Sequence, residues 1–270
     1  MPEGHVIHRL AHTFNAEFRD KSLHITSPQG RFAQEAAIID GSQLSHAEAF
    51  GKHLFLHFTA DHPLHIVYIH LGLIGQIKFE DPAVTAGQVR LRIDNGALVG
   101  QLRGPQWCQL ISEEEYDTQL KMVGQDPIRD DADPDSLWPS IHRSRRSIGS
   151  LMMDQKLFAG VGNIYRAETL FRQAISPFLP GNLLDRSEFD RLWNDLAALM
   201  ADGVSAGRID TVREEHTPEA MGREPRKDDH GGEVYVYRRE GLPCYICQTP
   251  IAAKVMEGRN LFWCPACQPN

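Results

Sequence analysis

Apolar positions in the segment PEGHVIHRLAHTFNAEF (2–18) recur at helical spacing: Val6, Ile7, Leu10, Ala11, Phe14 and Phe18. That spacing predicts an amphipathic helix beginning almost at the chain terminus, with Pro2 in a first turn where its missing N–H costs nothing. The period then shortens. β-like runs at 22–26, 53–58, 65–69, 76–79, 89–93 and 97–102 are punctuated by Gly, Pro and Asp. Several short strands with turn signals between them predict a β-sandwich or barrel with one packing helix. The segment DPIRDDADPDS (126–136) has the composition of a linker. From about 137 to 205 the pattern is helical, through Leu151, Met152 and Phe158, then Ile164, Ala167, Leu170 and Phe171, then Leu192, Leu196 and Leu199. AGVGN (159–163) interrupts it, being too glycine-rich for a helix interior. Residues 208–233 are polar and predict a mobile loop, and 234–270 form a small unit around cysteines. The expected fold is therefore α+β in two domains: a β-rich domain over 2–125, then a helical domain over 126–233 that carries the cysteine unit 234–270.

A chain of 270 residues fits two domains, and 41% hydrophobic with 24% charged residues is ordinary for a soluble protein. No apolar run approaches the ~18 residues of a membrane span. No basic-then-apolar leader opens the chain, so a cytoplasmic location and no membrane partner are expected. Net charge is −8, which argues against non-specific nucleic-acid binding. One segment reverses the balance. Between 142 and 172 stand Arg143, Arg145, Arg146, Lys156, Arg166 and Arg172 against Asp154 and Glu168.

The strongest chemical signal is Cys244-x-x-Cys247 and, sixteen residues on, Cys264-x-x-Cys267. Two thiolate pairs at this spacing fit one tetrahedral structural zinc on a β-hairpin, and the filled coordination sphere leaves no open catalytic position. Cys108 remains over and reads as a buried small hydrophobe. Arg259 lies between the two pairs, where a hairpin tip would present its guanidinium to a phosphate or simply to solvent. AGVGN leads into a helix, and such a turn can offer backbone N–H groups, with the Asn163 amide, to a phosphate. A tight turn between core helices is the other reading. At the terminus, removal of Met1 would leave a secondary amine on Pro2 beside Glu3. That amine can attack an aldehyde carbon and form a cationic iminium, with the helix dipole lowering its basicity. A plain helix start followed by a surface acid is the alternative.

Taken in order, these segments resemble the formamidopyrimidine-DNA glycosylase/endonuclease VIII family of base-excision repair enzymes. PEGH, FGKHLFL (50–56), IHLGLIG (69–75), GVGNIYRAETLF (160–171), and VYRREGLPCYICQTPI with GRNLFWCPACQ carry the likeness over nearly the whole chain. The resemblance implies an N-terminal β-sandwich with flanking helices, a helix–two-turn–helix domain and a β-hairpin zinc finger. It implies Pro2 as the nucleophile at C1′ of a damaged nucleotide, Glu3 as general acid/base, and Lys52 as a phosphate contact that assists elimination. Asn163 and Arg259 would bind phosphate, Arg259 also promoting δ-elimination, and Cys244, Cys247, Cys264 and Cys267 would hold one structural Zn2+. The partner implied is damaged DNA bound by a monomer, within a nucleoid-associated cytoplasmic pool. A target base must leave the stack before its glycosidic carbon can be attacked.

Pro-Glu-Gly at the terminus, Arg166 with Glu168, and FWCPACQ are most similar to endonuclease VIII, which implies oxidised pyrimidines as substrates, β,δ-elimination at the abasic site, and Arg166 and Arg103 among the DNA-binding residues. The 69–75 loop departs from that branch: it has Gly72-Leu73-Ile74 without a Gln, which makes Leu73 the candidate wedge. Arg103 matches the void-filling Arg of the other branch, but Gly104-Pro105 follow it without a Phe. A purine-directed glycosylase of the same family and a catalytically silent zinc-finger DNA-binding protein are the two alternatives.

Overall fold

The computed structural model describes residues 2–84, 87–227 and 231–269. The chain divides into two compact units, Met1–Val123 and Gly124–Asn270. Among the described residues, no helix is long and apolar enough to cross a membrane.

In the first unit the order is α1 (Gly4–Glu17), β1 (His24–Thr26), α2 (Ala33–Ile39), β2 (Leu44–Phe50), β3 (His53–Phe58), β4 (Ile66–His70), β5 (Gln76–Glu80), β6 (Val89–Asp94), β7 (Val99–Arg103), β8 (Trp107–Ile111) and α3 (Glu113–Leu120). Two four-stranded antiparallel sheets form, β2-β3-β4-β8 and β1-β6-β7-β5. Their inward residues share one core: Leu54, Leu56, Val67 and Ile69 from the first sheet, Leu91, Ile93 and Leu102 from the second. α1 inserts Ile7, Leu10, Ala11 and Phe14 into that core. Phe14 meets Phe79 edge-on at 5.2 Å. Cys108 packs on the same core, and burial pushes its thiol up to about 12. The first sheet is covered on its other face too, where Phe55, Ile66, Tyr68 and Ile111 pack with Tyr116 and Leu120 of α3. This is the sandwich with flanking helices that the family resemblance implies; the strand pattern alone allows a sandwich or a barrel with one packing helix, and β2 and β8 are added to its expected strands.

The second unit contains α4 (Pro134–His142), α5 (Ile148–Leu151), α6 (Asn163–Arg172), α7 (Arg186–Ala206), α8 (Pro218–Met221), β9 (Ala252–Met256) and β10 (Arg259–Trp263). α7 opens on a capping box: Asp185 accepts from Glu188 N at 2.7 Å, and Asp185 N donates to the Glu188 carboxylate at 3.0 Å. It stops at Gly207, whose φ of +75° an L side chain rarely adopts. α6 is enclosed along most of its length, its residues from Ile164 to Phe171 all being buried. The cysteine hairpin shares this core: Cys244, Ile251, Phe262 and Cys264 lie in one cluster with α6 and α7.

The polar segment 208–233 is anchored at several of its described residues. Arg213 N donates to Tyr235 Oη at 2.9 Å, and Arg226 donates to the carbonyls of Gly232 and Tyr237 at 3.1 and 3.2 Å. Tyr245 is stacked between the guanidinium groups of Arg223 and Arg239 at 4.3 and 3.5 Å from its ring centre. Residues 228–230 of the expected loop lie outside the described residues.

Candidate active site

The terminal segment is set by α1. Pro2 is half-buried, Glu3 is buried at the N-cap position of α1, and Val6 N donates to the Glu3 carbonyl at 3.0 Å. α1 packs on β2 and β3, so the residues that precede it stay with the sheet. Lys52 sits in the two-residue turn between these strands, where Phe50 pairs with His53 and Gly51 takes φ +58°. That turn is why a glycine precedes the lysine. The Lys52 ammonium stands beside two histidines. Burial, then the His70 and Lys52 charges, push His53 down to about 4. Burial, then Lys52, also push His70 down, against a side-chain hydrogen bond with Gln106 that favours the protonated ring. Both imidazoles are therefore neutral around Lys52 at pH 7. His53 Nδ1 is 2.7 Å from Tyr68 Oη, which fixes the ring.

The loop after β4 presents bare apolar surface. Leu73 is 70% exposed and Ile74 83%. Two glycines make its shape. Gly72 takes φ +70°, and at Gly75 a Cβ would fall 2.2 Å from the Leu71 carbonyl oxygen. The family likeness of the 69–75 loop makes Leu73 the candidate wedge, but Ile74 is the more exposed of the pair. A second signal was missed. Gln106 lies against Gly72, its backbone N donates to the His70 carbonyl at 3.0 Å, and Ile74 touches the position of Gly104. A polar side chain therefore stands beside the apolar tip, supplied by the β7–β8 turn rather than by the tip itself. Arg103 is committed locally: it donates to Glu80 at 3.0 Å and to Gln101 at 2.9 Å.

In the second unit, Asn163 is the first residue of α6 and Gly162 is its cap. Gly160, with φ +82°, turns the chain into it, and Gln155 braces the turn by donating to the Val161 carbonyl at 2.9 Å. The Asn163 amide donates to the Asn260 carbonyl of β10 at 2.8 Å. Arg166, buried, reaches both: it donates to Asn163 Oδ1 and, at 3.3 Å, to the Asn260 carbonyl. Its charge is thus spent on positioning. Arg172 makes a forked bond to Asp195, and Arg146 pairs with Asp154 at 2.9 Å. Of the basic segment, Arg143, Arg145 and Lys156 are exposed. Arg259 is exposed at the first position of β10, after a turn in which Glu257 and Gly258 take φ +48° and +75°. Two consecutive left-handed residues are what a tight two-residue hairpin requires.

The four thiols converge. Cys244 Sγ is 3.9 Å from Cys267 Sγ, and Cys247 Sγ is 3.4 Å from Cys264 Sγ. A tetrahedral ion with bonds of ~2.3 Å places sulfurs roughly 3.8 Å apart, so the cluster has the geometry of a zinc finger. Glu168 does a different task below it. Its buried carboxylate accepts from Thr211 Oγ1 at 2.6 Å and from the backbone N–H groups of Tyr235, Val236 and Tyr237 at 2.7 to 2.8 Å. It fixes the segment that leads into the first cysteine pair.

Comparison with known proteins agrees with this geometry. Residues 1–101 match the formamidopyrimidine-DNA glycosylase N-terminal domain, and 123–214 match the formamidopyrimidine-DNA glycosylase H2TH domain. The chain is 44% identical over 277 residues to "Endonuclease 8 1" of Mycobacterium tuberculosis, covering 99% of this chain and 100% of that one. It is 30% identical over 246 residues to the formamidopyrimidine-DNA glycosylase of Thermus thermophilus, covering 87% and 86%. The fold is that of a Lactococcus lactis formamidopyrimidine-DNA glycosylase variant solved with a Fapy-dG containing DNA, at a TM-score of 0.80, 20% identity and full coverage of both chains. With both domain models matched in order and a full-length relative at 44% identity, the chain belongs to the formamidopyrimidine-DNA glycosylase/endonuclease VIII family of base-excision repair DNA glycosylases.

Proposed function

We propose that this glycosylase is bifunctional: it releases an oxidised base, a pyrimidine by preference, and then cuts the strand by β,δ-elimination through a Schiff base on Pro2. The observation that supports this most is the terminus, where half-buried Pro2 and buried Glu3 are held by a helix packed on the strands that carry Lys52. With Met1 removed, the Pro2 nitrogen attacks C1′, and the base departs with the glycosidic electron pair. Glu3 exchanges the proton of ring opening. The resulting iminium acidifies the C2′ protons, and loss of one expels the phosphate on C3′. A second elimination expels the phosphate on C5′. Lys52, beside His53 and His70, and exposed Arg259 stabilise those departing phosphates.

Leu73 and Ile74 enter the stack in place of the flipped nucleotide, with Gln106 at the rim to meet the opposite base. Asn163 and Arg259 hold the backbone. Cys244, Cys247, Cys264 and Cys267 hold one Zn2+, which fixes the hairpin and takes no part in the chemistry. Damaged DNA is the partner, the working form is a monomer, and the place of action is the nucleoid in the cytoplasm.

Borohydride trapping on oligonucleotides with defined lesions tests the reading. Oxidised pyrimidines should trap best, the adduct should map to Pro2 by peptide mass, and Pro2→Gly should trap only weakly. An adduct on an internal lysine overturns the assigned nucleophile. A purine-first rank order would transfer the protein to the other branch, a reading favoured by the Thermus thermophilus relative.

A further inference from the structure

We propose that His46, Glu48 and His57 form a second metal site, for a divalent transition ion of the zinc type, on the face of the first unit's sheet turned away from α1. The strand register makes the site. His46 of β2 pairs directly with His57 of β3, and Glu48 follows His46 by two residues on the same side. The intervening Ala47 and Ala49 point into the core beneath α1. One potential ligand atom from each of His46, Glu48 and His57 lies within 4.8 Å of the others. His57 Nε2 and Glu48 Oε1 are 3.1 Å apart, close to the ~3.3 Å edge of a tetrahedron with bonds of about 2.0–2.1 Å.

The surroundings are those of a built site. His57 is buried and Glu48 largely so, with side chains 8% and 21% exposed. Tyr116 of α3 donates its hydroxyl to the same Glu48 oxygen, which orients the carboxylate from behind. Ser45 Oγ lies 3.3 Å from His46 Nδ1, a bond that leaves Nε2 for an ion. Glu113 adds a negative charge nearby. Arg19 opposes it and is itself paired with Asp20 at 3.5 Å.

One movement is required. The two imidazoles are stacked 4.0 Å apart at 11°, and parallel rings cannot both hold one ion in their planes. His46 is exposed, so its ring can turn about the soft Cβ–Cγ torsion, while His57 stays with Glu48. Two imidazoles and a carboxylate suit Zn2+, Co2+, Ni2+ or Cu2+ rather than Mg2+ or Ca2+. The fourth position is left to water. The site lies on the face opposite the one against which α1 packs, so its role is to pin α3 to β2 and β3 through Tyr116, not to assist Pro2.

The test uses the untagged full chain with its cysteine cluster already zinc-loaded. Equilibrium dialysis against Zn2+ should add one further equivalent per chain. Cobalt(II) in that position should show d–d absorption without a thiolate charge-transfer band, since no sulfur is near. His46→Ala, an exposed change that leaves the fold intact, should weaken the added equivalent at least ~10-fold, and Glu48→Gln should do likewise. Cys264→Ser should leave it bound. The proposal falls if the chain takes up no zinc beyond the cysteine equivalent, or if the added equivalent survives both His46→Ala and Glu48→Gln.

Discussion

The side-chain amide of Asn163 and the backbone carbonyl of Asn260 meet at 2.8 Å, joining the start of α6 to the tip strand of the cysteine hairpin across 97 residues. Asn163 is thereby bonded to the strand that Arg259 begins, and Arg166 bonds both Asn163 and the Asn260 carbonyl. A DNA backbone held by both would find the spacing of its two contacts already fixed.

Arg166→Ala should therefore act at a distance from any ligand. Removing a buried guanidinium that bonds two backbone-linked groups should cost about 3 kcal/mol, read from the urea midpoint. It should also weaken DNA binding. Combined with Arg259→Ala the two losses should be less than additive, because the second residue is already misplaced. Full additivity would assign Arg166 a direct contact of its own.

The family likeness of GVGNIYRAETLF picked out the residue but not its job. Position 166 was visible as one of several cations in a basic segment. Only tertiary packing decides that Arg166 faces inward while Arg143 and Lys156 face solvent. Strand β3 was legible because a run of aromatic and aliphatic residues specifies a buried strand, and its expected bounds of 53–58 are those observed. Its neighbour β2 was not. LSHAEAF has Ala at its inward positions and polar groups outward, a pattern of low strand propensity that pairing with β3 overrides. The same outward residues make the His46 cluster, which no spacing rule finds because His57 comes from another strand. α3 has no fully buried residue, and its apolar stripe is only the pair Tyr116 and Leu120, one turn apart. Its one sequence mark is the Ser112/Glu115 capping box.

Glu168 carries a sharper expectation. Four donors aim at one buried carboxylate. Glu168→Gln puts an NH2 group against backbone N–H donors, and should destabilise the second unit by roughly 2–4 kcal/mol. Amide exchange should rise first at Tyr235–Tyr237. Unchanged protection there would mean that the segment is held by other contacts.

Acid should loosen the first unit before carboxylate protonation alone can. Burial, then Arg9 and His8, push His5 down to about 4, as burial, then His70 and Lys52, do for His53. In the unfolded chain both titrate near 6.5, so below that pH the unfolded state binds more protons. Stability is complete above about pH 6.5 and is lost as pH falls toward about 4, by up to ~3 kcal/mol per histidine. His53→Asn should flatten that slope. A midpoint constant between pH 6.5 and 4 would show that these rings are not held neutral.

Leu73 and Ile74 offer apolar surface that folding does not use. Leu73→Ala with Ile74→Ala should change stability by less than ~0.5 kcal/mol. Base release from duplex DNA should nevertheless fall at least tenfold, since unstacking is no longer compensated. Activity on single-stranded substrate should fall much less. Equal losses on both substrates would assign the loop to something other than wedging.

Removal of the metal from the cysteine cluster separates the two units. Four thiols at 3.4 to 3.9 Å, two of them in the core cluster of the second unit, repel or oxidise without an ion between them. The hairpin is also bonded into that unit: Gln268 donates to the Ile175 carbonyl at 2.9 Å, and Trp263 packs edge-on against Phe178 at 5.0 Å. Loss of zinc should therefore not merely free the Arg259 tip. It should lower the thermal midpoint of the second unit as a whole and abolish DNA binding, while the first unit, with its separate sandwich core, keeps its transition. Calorimetry resolves the two transitions, and Cys264→Ser should reproduce the chelated profile. A chelated protein whose second unit melts unchanged would show that the helical core does not depend on the hairpin. Collapse of both transitions together would show that the units do not fold independently.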